Sequence, residues 1–193
     1  MGDYMERKRI EVEAKFPLIN KKYTVEKLEE VASKVEKTKQ KDIYYTPAHE
    51  DFLERDPICE WFRLRFTDNE KVITYKNWSN NGKNNKISCK EIEVGIDDYD
   101  GMLEILKSLD FRKIIEVDKA RSSFEYNGII ISIDSIKDLG DFIELEFKSN
   151  LFDNEEDSLK YINDTIDKLN IKVGEQIFKG YPQLILENQK KVL

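Results

Sequence analysis

The sequence predicts an α+β fold: a closed or nearly closed antiparallel β-barrel of about eight strands that forms a charged tunnel, with amphipathic helices packed outside. Two observations predict it. Eight segments alternate charged and apolar residues with the period of two that marks a half-buried strand. Helical segments with one apolar face lie between these strands, and the apolar faces of the strands can cover them. If the helices pack outside, the charged faces must look inward at one another.

The predicted strands extend from one end of the chain to the other. They are 9–16, 40–45, 61–66, 72–76, 89–94, 117–124, 129–134 and 142–148. In 40–45, for example, Asp42 and Tyr44 face away from Ile43 and Tyr45, because successive side chains of a strand point to opposite faces. Each strand therefore has one polar or charged face and one apolar face.

Three segments have the spacing of amphipathic helices: 24–38, 98–109 and about 155–169. Thr24 is a suitable cap for the first of them. Two turns separate predicted strands: the run from Asn80 to Asn85, and Asn127-Gly128, which is a strong two-residue hairpin signal.

Pairs of like charge recur on the charged faces at positions i and i+2. They are Glu11/Glu13, Arg63/Arg65, Glu91/Glu93, Lys119/Arg121 and Glu144/Glu146. Such neighbours repel each other, so their repetition favours a site for an anionic ligand and its metal ions. The alternative is that each charged face is an ordinary sheet face in water.

Composition limits the classes of function. The chain of 193 residues has a net charge of -7 and is expected to form a single domain over residues 1–193. It offers no broad basic face for a phosphate backbone, so no nucleic-acid partner is expected. Cys59 and Cys89 lack metal-site spacing and suit a reducing compartment, while the single histidine, His49, leaves little material for zinc or histidine-based catalysis.

The sequence also bears on location. No stretch is apolar enough to span a membrane, and the first residues lack the apolar core of a signal peptide. We therefore expect no membrane partner and a cytoplasmic protein. Pairing of edge strands between two copies would give a homodimer, which the sequence leaves open.

The segment Glu11-Val12-Glu13-Ala14-Lys15 has the form ExExK, and with it the chain resembles the CYTH family, also called triphosphate tunnel metalloenzymes. That family includes class IV adenylyl cyclases, thiamine triphosphatases and inorganic tripolyphosphatases. Further matching segments follow in order along most of the chain. They are Gln40 to Tyr45, Arg63-Leu64-Arg65, Thr74-Tyr75-Lys76, Glu91-Ile92-Glu93, Lys119-Ala120-Arg121, Asp134, Leu139 to Glu146, and Lys179-Gly180-Tyr181-Pro182-Gln183-Leu184.

The resemblance implies a role for each set of charged residues. The cationic set would bind the phosphate oxygens of a triphosphate-containing small molecule: Lys15, Arg63, Arg65, Lys76, Lys119, Arg121 and Lys179. The acidic set would hold Mg²⁺ or Mn²⁺: Glu11, Glu13, Asp134, Glu144 and Glu146. Lys15, Glu13 and Arg65 are the candidate catalytic residues, and Glu91 and Glu93 are candidates for orienting the others through ion pairs.

The reaction implied is a displacement at phosphorus. If the nucleophile is water, the protein is a triphosphatase, and if it is a ribose hydroxyl of the same ATP, it is a cyclase. The sequence does not show how the organic end of the substrate is held, so both reactions stay open. Two other classes also stay open: a catalytically silent module that binds polyphosphate or nucleotide, and a structural protein whose charged faces lie in water.

Overall fold

The computed structural model describes residues 10–80, 86–147 and 155–192, and in these residues eight antiparallel strands form a barrel. The strands are β1 Ile10–Pro17, β2 Ser33–Pro47, β3 Glu60–Phe66, β4 Lys71–Asn80, β5 Lys86–Gly95, β6 Phe111–Tyr126, β7 Ile129–Ile136 and β8 Gly140–Phe147. Around the barrel they follow the order β1-β5-β4-β3-β2-β6-β7-β8. The predicted closed or nearly closed barrel is thereby confirmed.

Strand β1 closes the barrel, because it pairs with β8 on one side and with β5 on the other. Its pairing with β8 extends from Val12 to Pro17, whereas its pairing with β5 involves only residues 10–12. The closure between β1 and β5 is therefore short.

The helices lie outside the strands or at one end of the barrel. They are α1 Lys21–Val31, α2 Tyr99–Ser108, α3 Glu155–Lys168 and α4 Tyr181–Val192, and Phe52–Glu54 forms a short 3₁₀ helix. Helices α2 and α3 confirm two of the three predicted helices, and α4 lies outside those three. Among the described residues, none of the helices has both the length and the apolar character needed to cross a membrane.

The prediction of a helix over 24–38 is wrong in its second half. The predicted cap Thr24 is also wrong, because helix α1 begins at Lys21 and is capped by the side chain of Asn20, which accepts a hydrogen bond from the backbone of Tyr23. The helix ends before Ala32, whose backbone is extended. The following residues pair with β6 from Ser33 onward, so the segment gains the backbone hydrogen bonds of a long strand instead of those of a helix. Nonlocal pairing overrides a helical spacing that the sequence continues past residue 32.

One of the two predicted turns can be compared with the structure. Asn127 and Gly128 join β6 to β7 with φ values of 48° and 80°, as a tight two-residue hairpin requires. The other predicted turn, from Asn80 to Asn85, lies largely outside the described residues, which resume at Lys86.

Three apolar clusters fix the layers. Helices α1 and α3 cover the outer face of β1, β7 and β8 around the fully buried Leu28 and Ile162. Helix α2 covers the outer face of β2, β3 and β4 around Leu64 and Leu106. The third cluster lies on the inner side of the barrel, where Tyr181 at the start of α4 packs with residues such as Phe142. The outer layers leave the charged faces turned inward, and α4 packs across the inner side at one end.

Candidate functional site

The inward faces of the strands surround a cavity of about 440 Å³. Its charged lining comes from β1, β3, β4, β5, β6 and β8, and β2 and the start of α4 supply further residues. The charged residues are Glu13, Lys15, Arg63, Arg65, Lys76, Glu91, Glu93, Lys119, Arg121, Glu144 and Glu146. Because the strand faces alternate, side chains that are distant in the sequence meet in one enclosed space.

One wall of the cavity is organised by Asp42 of β2. Arg65 donates to its carboxylate from Nε to Oδ1 at 2.7 Å and from Nη2 to Oδ2 at 2.8 Å. Arg63 donates from Nη1 to Oδ2 at 3.2 Å. Burial alone would favour the neutral acid, but Arg63 and Arg65 hold the pKa of Asp42 well below its usual range. Asp42 is therefore a buried carboxylate that joins two arginines of β3.

A second anchor lies on the neighbouring strands. Arg121 of β6 donates to both oxygens of Asp134, from Nε at 2.7 Å and from Nη2 at 2.5 Å, and it also bonds Glu144. The hydroxyl of Tyr181 donates to Oδ2 of Asp134 at 2.9 Å. Asp134 is fully buried, and its two carboxylate oxygens are engaged by Arg121 and Tyr181.

Lysines complete the cationic lining. Lys15 Nζ lies 3.1 Å from Glu144 Oε1 and 4.3 Å from the ring centroid of Tyr181, and Lys76 Nζ lies 2.9 Å from Glu91 Oε2. Burial alone would lower the pKa of Lys15, but Glu144 and Glu13 beside it raise that pKa above its usual value. Lys15 is therefore held in its charged form.

Lys119 has a different environment. Its Nζ is 4.0 Å from Asp42 Oδ2 and 5.6 Å from the ring centroid of Tyr181. Burial, followed by the nearby charges of Arg121 and Arg65, lowers the pKa of Lys119 to about 7. The charge of this cavity lysine can change near neutral pH.

The carboxylates of β1 and β8 meet across the barrel wall. Glu13 stands directly opposite Glu146 in the register of the two strands. Burial, and then the nearby charge of Glu144, raise the pKa of Glu13. Two carboxylates that repel each other in a buried cavity favour a cation between them.

These carboxylates fit the metal that the family resemblance implies. Within residues 10–80, 86–147 and 155–192, no three acidic, histidine or cysteine side chains form a ready metal cage. Mg²⁺ is usually held by one or two carboxylates together with water and substrate phosphates, so Glu13 and Glu146 suffice as protein ligands. The side chain of Glu11 lies outside the described part of the structure, although its backbone pairs with Cys89.

Two predicted site residues lie apart from the cavity lining. Lys179 is half exposed and its Nζ bonds both carboxylate oxygens of Glu187 at 2.8 Å, so its charge faces the surface. Asp134 lies behind Arg121, as described above. A phosphate-binding role for Lys179 and a metal-binding role for Asp134 stay predictions, and each would require the present partners to be exchanged.

Sequence reasoning assigned no functional role to several residues that shape the site. Asp42 and Tyr44 stood on the inward face of a predicted strand, and Tyr181 stood in the C-terminal matching segment. Trp61 is buried against the edge of Tyr44, with ring centroids 5.6 Å apart, and lines the cavity near Gly180. The alternation of residues along the strand places Asp42 on the inward face, and this signal could have added Asp42 to the candidate site residues.

Three comparisons with known proteins agree with this architecture. A Methanocaldococcus jannaschii protein named "putative adenylate cyclase" is 35% identical over 178 residues, which cover 91% of this chain and 98% of the relative. The structure of the PH1819 protein of Pyrococcus horikoshii OT3 is similar with a TM-score of 0.77 at 28% identity, covering 92% of this chain and 99% of that one. A Hippeastrum protein, described as having a dominant triphosphatase activity, shares the fold with a TM-score of 0.62 at 15% identity, covering 95% of this chain and 97% of that one.

The family model of the CYTH domain matches residues 9–181. This match includes all eight strands and ends at the tyrosine that opens α4. The barrel, its inward charges and the sequence match lead to one conclusion: the chain belongs to the CYTH domain family.

Proposed function

We propose that this protein is a metal-dependent enzyme that acts on a triphosphate-containing small molecule. The observation that carries the proposal is the convergence of six cationic side chains on one enclosed cavity of about 440 Å³. They are Lys15, Arg63, Arg65, Lys76, Lys119 and Arg121. Such a set suits a chain of phosphates, since arginine can donate two parallel hydrogen bonds to phosphate and lysine supplies point charges.

The balance of charges supports a metal partner. Among the described side chains, seven carboxylates lie beside these six cations, five in the cavity lining and Asp42 and Asp134 behind it: Asp42, Glu13, Glu91, Glu93, Asp134, Glu144 and Glu146. Because the formal charges of these groups nearly cancel, the protein alone cannot neutralise a polyanion. Glu13 and Glu146 would hold Mg²⁺ or Mn²⁺, which when bound offsets the phosphate charge and lowers the pKa of a water or hydroxyl that it binds.

The side chains themselves orient the substrate. Arg65 and Arg121 are each fixed by a carboxylate that contacts two of their nitrogens, so their orientation is set before the ligand arrives. Preorganised charges stabilise the phosphoryl group more strongly in the transition state, because they need no rearrangement as charge shifts toward the leaving group. In this arrangement Arg65 and Lys15 contact the reacting phosphates.

Hydrolysis is the first candidate reaction. Water forms a new bond to the terminal phosphorus while the bond from that phosphorus to the bridging oxygen breaks. The products are orthophosphate and the substrate shortened by one phosphate, and the proton lost by the attacking water passes to a product oxygen or to solvent. Cyclisation of ATP is the second candidate, favoured by the adenylate cyclase name of the Methanocaldococcus relative. There the ribose 3′-oxygen forms a bond to the α-phosphorus while the bond from that phosphorus to the oxygen bridging to the β-phosphorus breaks. The products are cyclic AMP, pyrophosphate and the proton of the 3′-hydroxyl.

The proposal is tested by incubating the purified protein with Mg²⁺ or Mn²⁺ and tripolyphosphate, thiamine triphosphate or ATP. Ion chromatography separates orthophosphate, pyrophosphate and cyclic nucleotide, and we expect product from at least one substrate. Arg65→Ala should reduce turnover by at least about a hundredfold, because it removes a phosphate contact in the transition state. Arg112→Ala is the matched control, since Arg112 is more than half exposed and pairs with Asp51 outside the cavity.

Two outcomes would contradict the proposed enzymatic function. Tight binding of tripolyphosphate by calorimetry with no product after hours would instead support a silent binding module. If the protein neither binds nor converts any of these substrates, the charged cavity is not a triphosphate site.

A further inference from the structure

Asp42 is a buried carboxylate at the centre of three cations, and it does not line the cavity that those cations line. It is 1% exposed. Arg63 and Arg65 approach it from β3, and Lys119 approaches it from β6. It therefore lies behind these three cations of the cavity lining and contacts the side chains that would bind the phosphates.

The contacts of Asp42 fix the orientation of Arg65. Two nitrogens of one planar guanidinium bond the two oxygens of one carboxylate, at 2.7 and 2.8 Å. A two-point contact of this kind removes rotation about the last bonds of the side chain. The single contact to Arg63 Nη1, at 3.2 Å, ties the second arginine to the same carboxylate. Arginines held in this way lose little further freedom when a ligand binds.

Two roles for Asp42 predict opposite effects on an anionic ligand. If Asp42 serves only as a counter-charge for the arginines, its negative charge repels the phosphates, and neutralising it should strengthen binding. If its main effect is on the orientation of the arginines, neutralising it should weaken binding even though the cavity becomes more positive.

We propose that Asp42 is a positioning residue of this tunnel, which acts on the phosphate chain through Arg63 and Arg65 without touching the ligand. This inference rests on the proposed function, because it requires a polyphosphate in the cavity. It assigns to Asp42 a role in ligand affinity and not only in stability.

The first test measures the affinity of the full chain for tripolyphosphate by calorimetry in the presence of Mg²⁺. Asp42→Asn, which keeps the side-chain shape, should weaken binding by at least about tenfold. Glu60→Gln is the matched control. Glu60 lies on β3, is buried as Asp42 is, and bonds Arg55 and Tyr75, but it lies outside the cavity lining and contacts neither Arg63 nor Arg65 through a hydrogen bond or ion pair. The control should bind with unchanged affinity.

The sign of the change decides between the roles. Equal or tighter binding by folded Asp42→Asn would overturn the inference. If the unmodified protein does not bind tripolyphosphate, the proposed function fails first, so the two failures are distinguishable.

The second test asks whether Asp42 acts through Arg65. In the Arg65→Ala background, Asp42→Asn should weaken binding much less than in the unmodified protein, because the oriented group is already absent. Equal losses in the two backgrounds would show independent effects and would contradict positioning through Arg65.

A third measurement needs no Asp42 variant and holds even if Asp42→Asn does not fold. The Nε–H resonance of Arg65, assigned by its loss in Arg65→Lys, should be visible and slow to exchange with water before and after tripolyphosphate is added, because Asp42 keeps that hydrogen bond. If the ligand causes the resonance to be lost to solvent exchange, Arg65 has left Asp42, and the inference is wrong.

Discussion

At the scale of single residues, the charged groups of the cavity are held in defined states by their neighbours. Lys15 is kept charged by Glu144 and Glu13, whereas Lys119 is buried beside two arginines. The groups that set the charge of Lys119 come from β6, β3, β7, β2 and α4. They are Arg121, Arg65, Asp134, Asp42 and the ring of Tyr181, and Glu144 of β8 also interacts with the charge of Lys119. Two lysines on the same inner face therefore respond differently to pH.

We predict that the affinity for tripolyphosphate without metal, measured relative to that of Lys119→Arg, falls as the pH rises from 6 to 8. The pKa of Lys119 is about 7 in the free protein, so the cation is present below that pH and is lost above it. Lys119→Arg should remove this part of the pH dependence, because arginine keeps its charge throughout the range. Calorimetric titrations at several pH values measure the effect.

The ionisation of tripolyphosphate itself changes over the same pH range, but it affects both proteins equally. The difference between the two pH curves therefore isolates Lys119. Parallel curves for the unmodified protein and Lys119→Arg would contradict the prediction.

At the scale of elements, helix α4 packs at one end of the barrel and contacts the residues that hold Arg121 in the cavity lining. Its first residue, Tyr181, is buried, packs against Phe142 and donates its hydroxyl to the carboxylate of Asp134. Through that carboxylate, the position of the helix is linked to the orientation of Arg121. One residue thus fastens α4 to the site as well as to the apolar cluster.

We predict that Tyr181→Phe lowers the free energy of unfolding by about 1.5 to 3 kcal/mol, because it keeps the ring and removes one buried hydrogen bond to a charged group. Urea denaturation measures the change. Tyr161→Phe is the control, since the hydroxyl of Tyr161 donates to the carbonyl of Asn127 at an exposed position, with a distance of 3.3 Å. The control should lose less stability, and equal losses would show that the bond to Asp134 is not important for holding α4.

At the scale of the whole molecule, the barrel encloses a cavity in which the formal charges of the described cationic and acidic side chains nearly cancel. A polyanion adds negative charge that the cavity cannot neutralise, and a divalent cation adds positive charge beside the opposed Glu13 and Glu146. Each ligand therefore makes the binding free energy of the other more favourable. Such coupling is reciprocal in free energy.

We predict that tripolyphosphate and Mg²⁺ together raise the Tm by more than the sum of their separate effects. At about a hundredfold excess over Kd, the combined increase should be about 5 to 10 °C. Differential scanning calorimetry measures the shifts. Glu13→Gln should reduce the synergy, because it removes one of the two carboxylates proposed to hold the metal while keeping the cationic lining of the cavity.

The control for specificity is orthophosphate, which is too short to engage the whole cationic set and should raise the Tm less. Strictly additive Tm shifts by metal and tripolyphosphate in the unmodified protein would contradict coupled binding of the two ligands in the cavity.

The sequence by itself determined which face of each strand enters the barrel. The period of two is a local property of extended backbone, so Arg63, Arg65, Glu144 and Glu146 could be assigned to the inner face before any pairing was known. The ordered set of matching segments added the family, and the family match confirmed it. The apolar faces likewise predicted that helices would cover the barrel from outside.

Only the tertiary structure decided which charges pair. No local pattern links Asp42 to Arg65 or Asp134 to Arg121, because those contacts depend on the pairing register of different strands. Pairing with β6 also turned residues 33–38 from a predicted helix into a strand. Alternation is fixed within a strand, whereas register, pairing and closure by α4 arise between elements, where nonlocal hydrogen bonds and packing outweigh local preference.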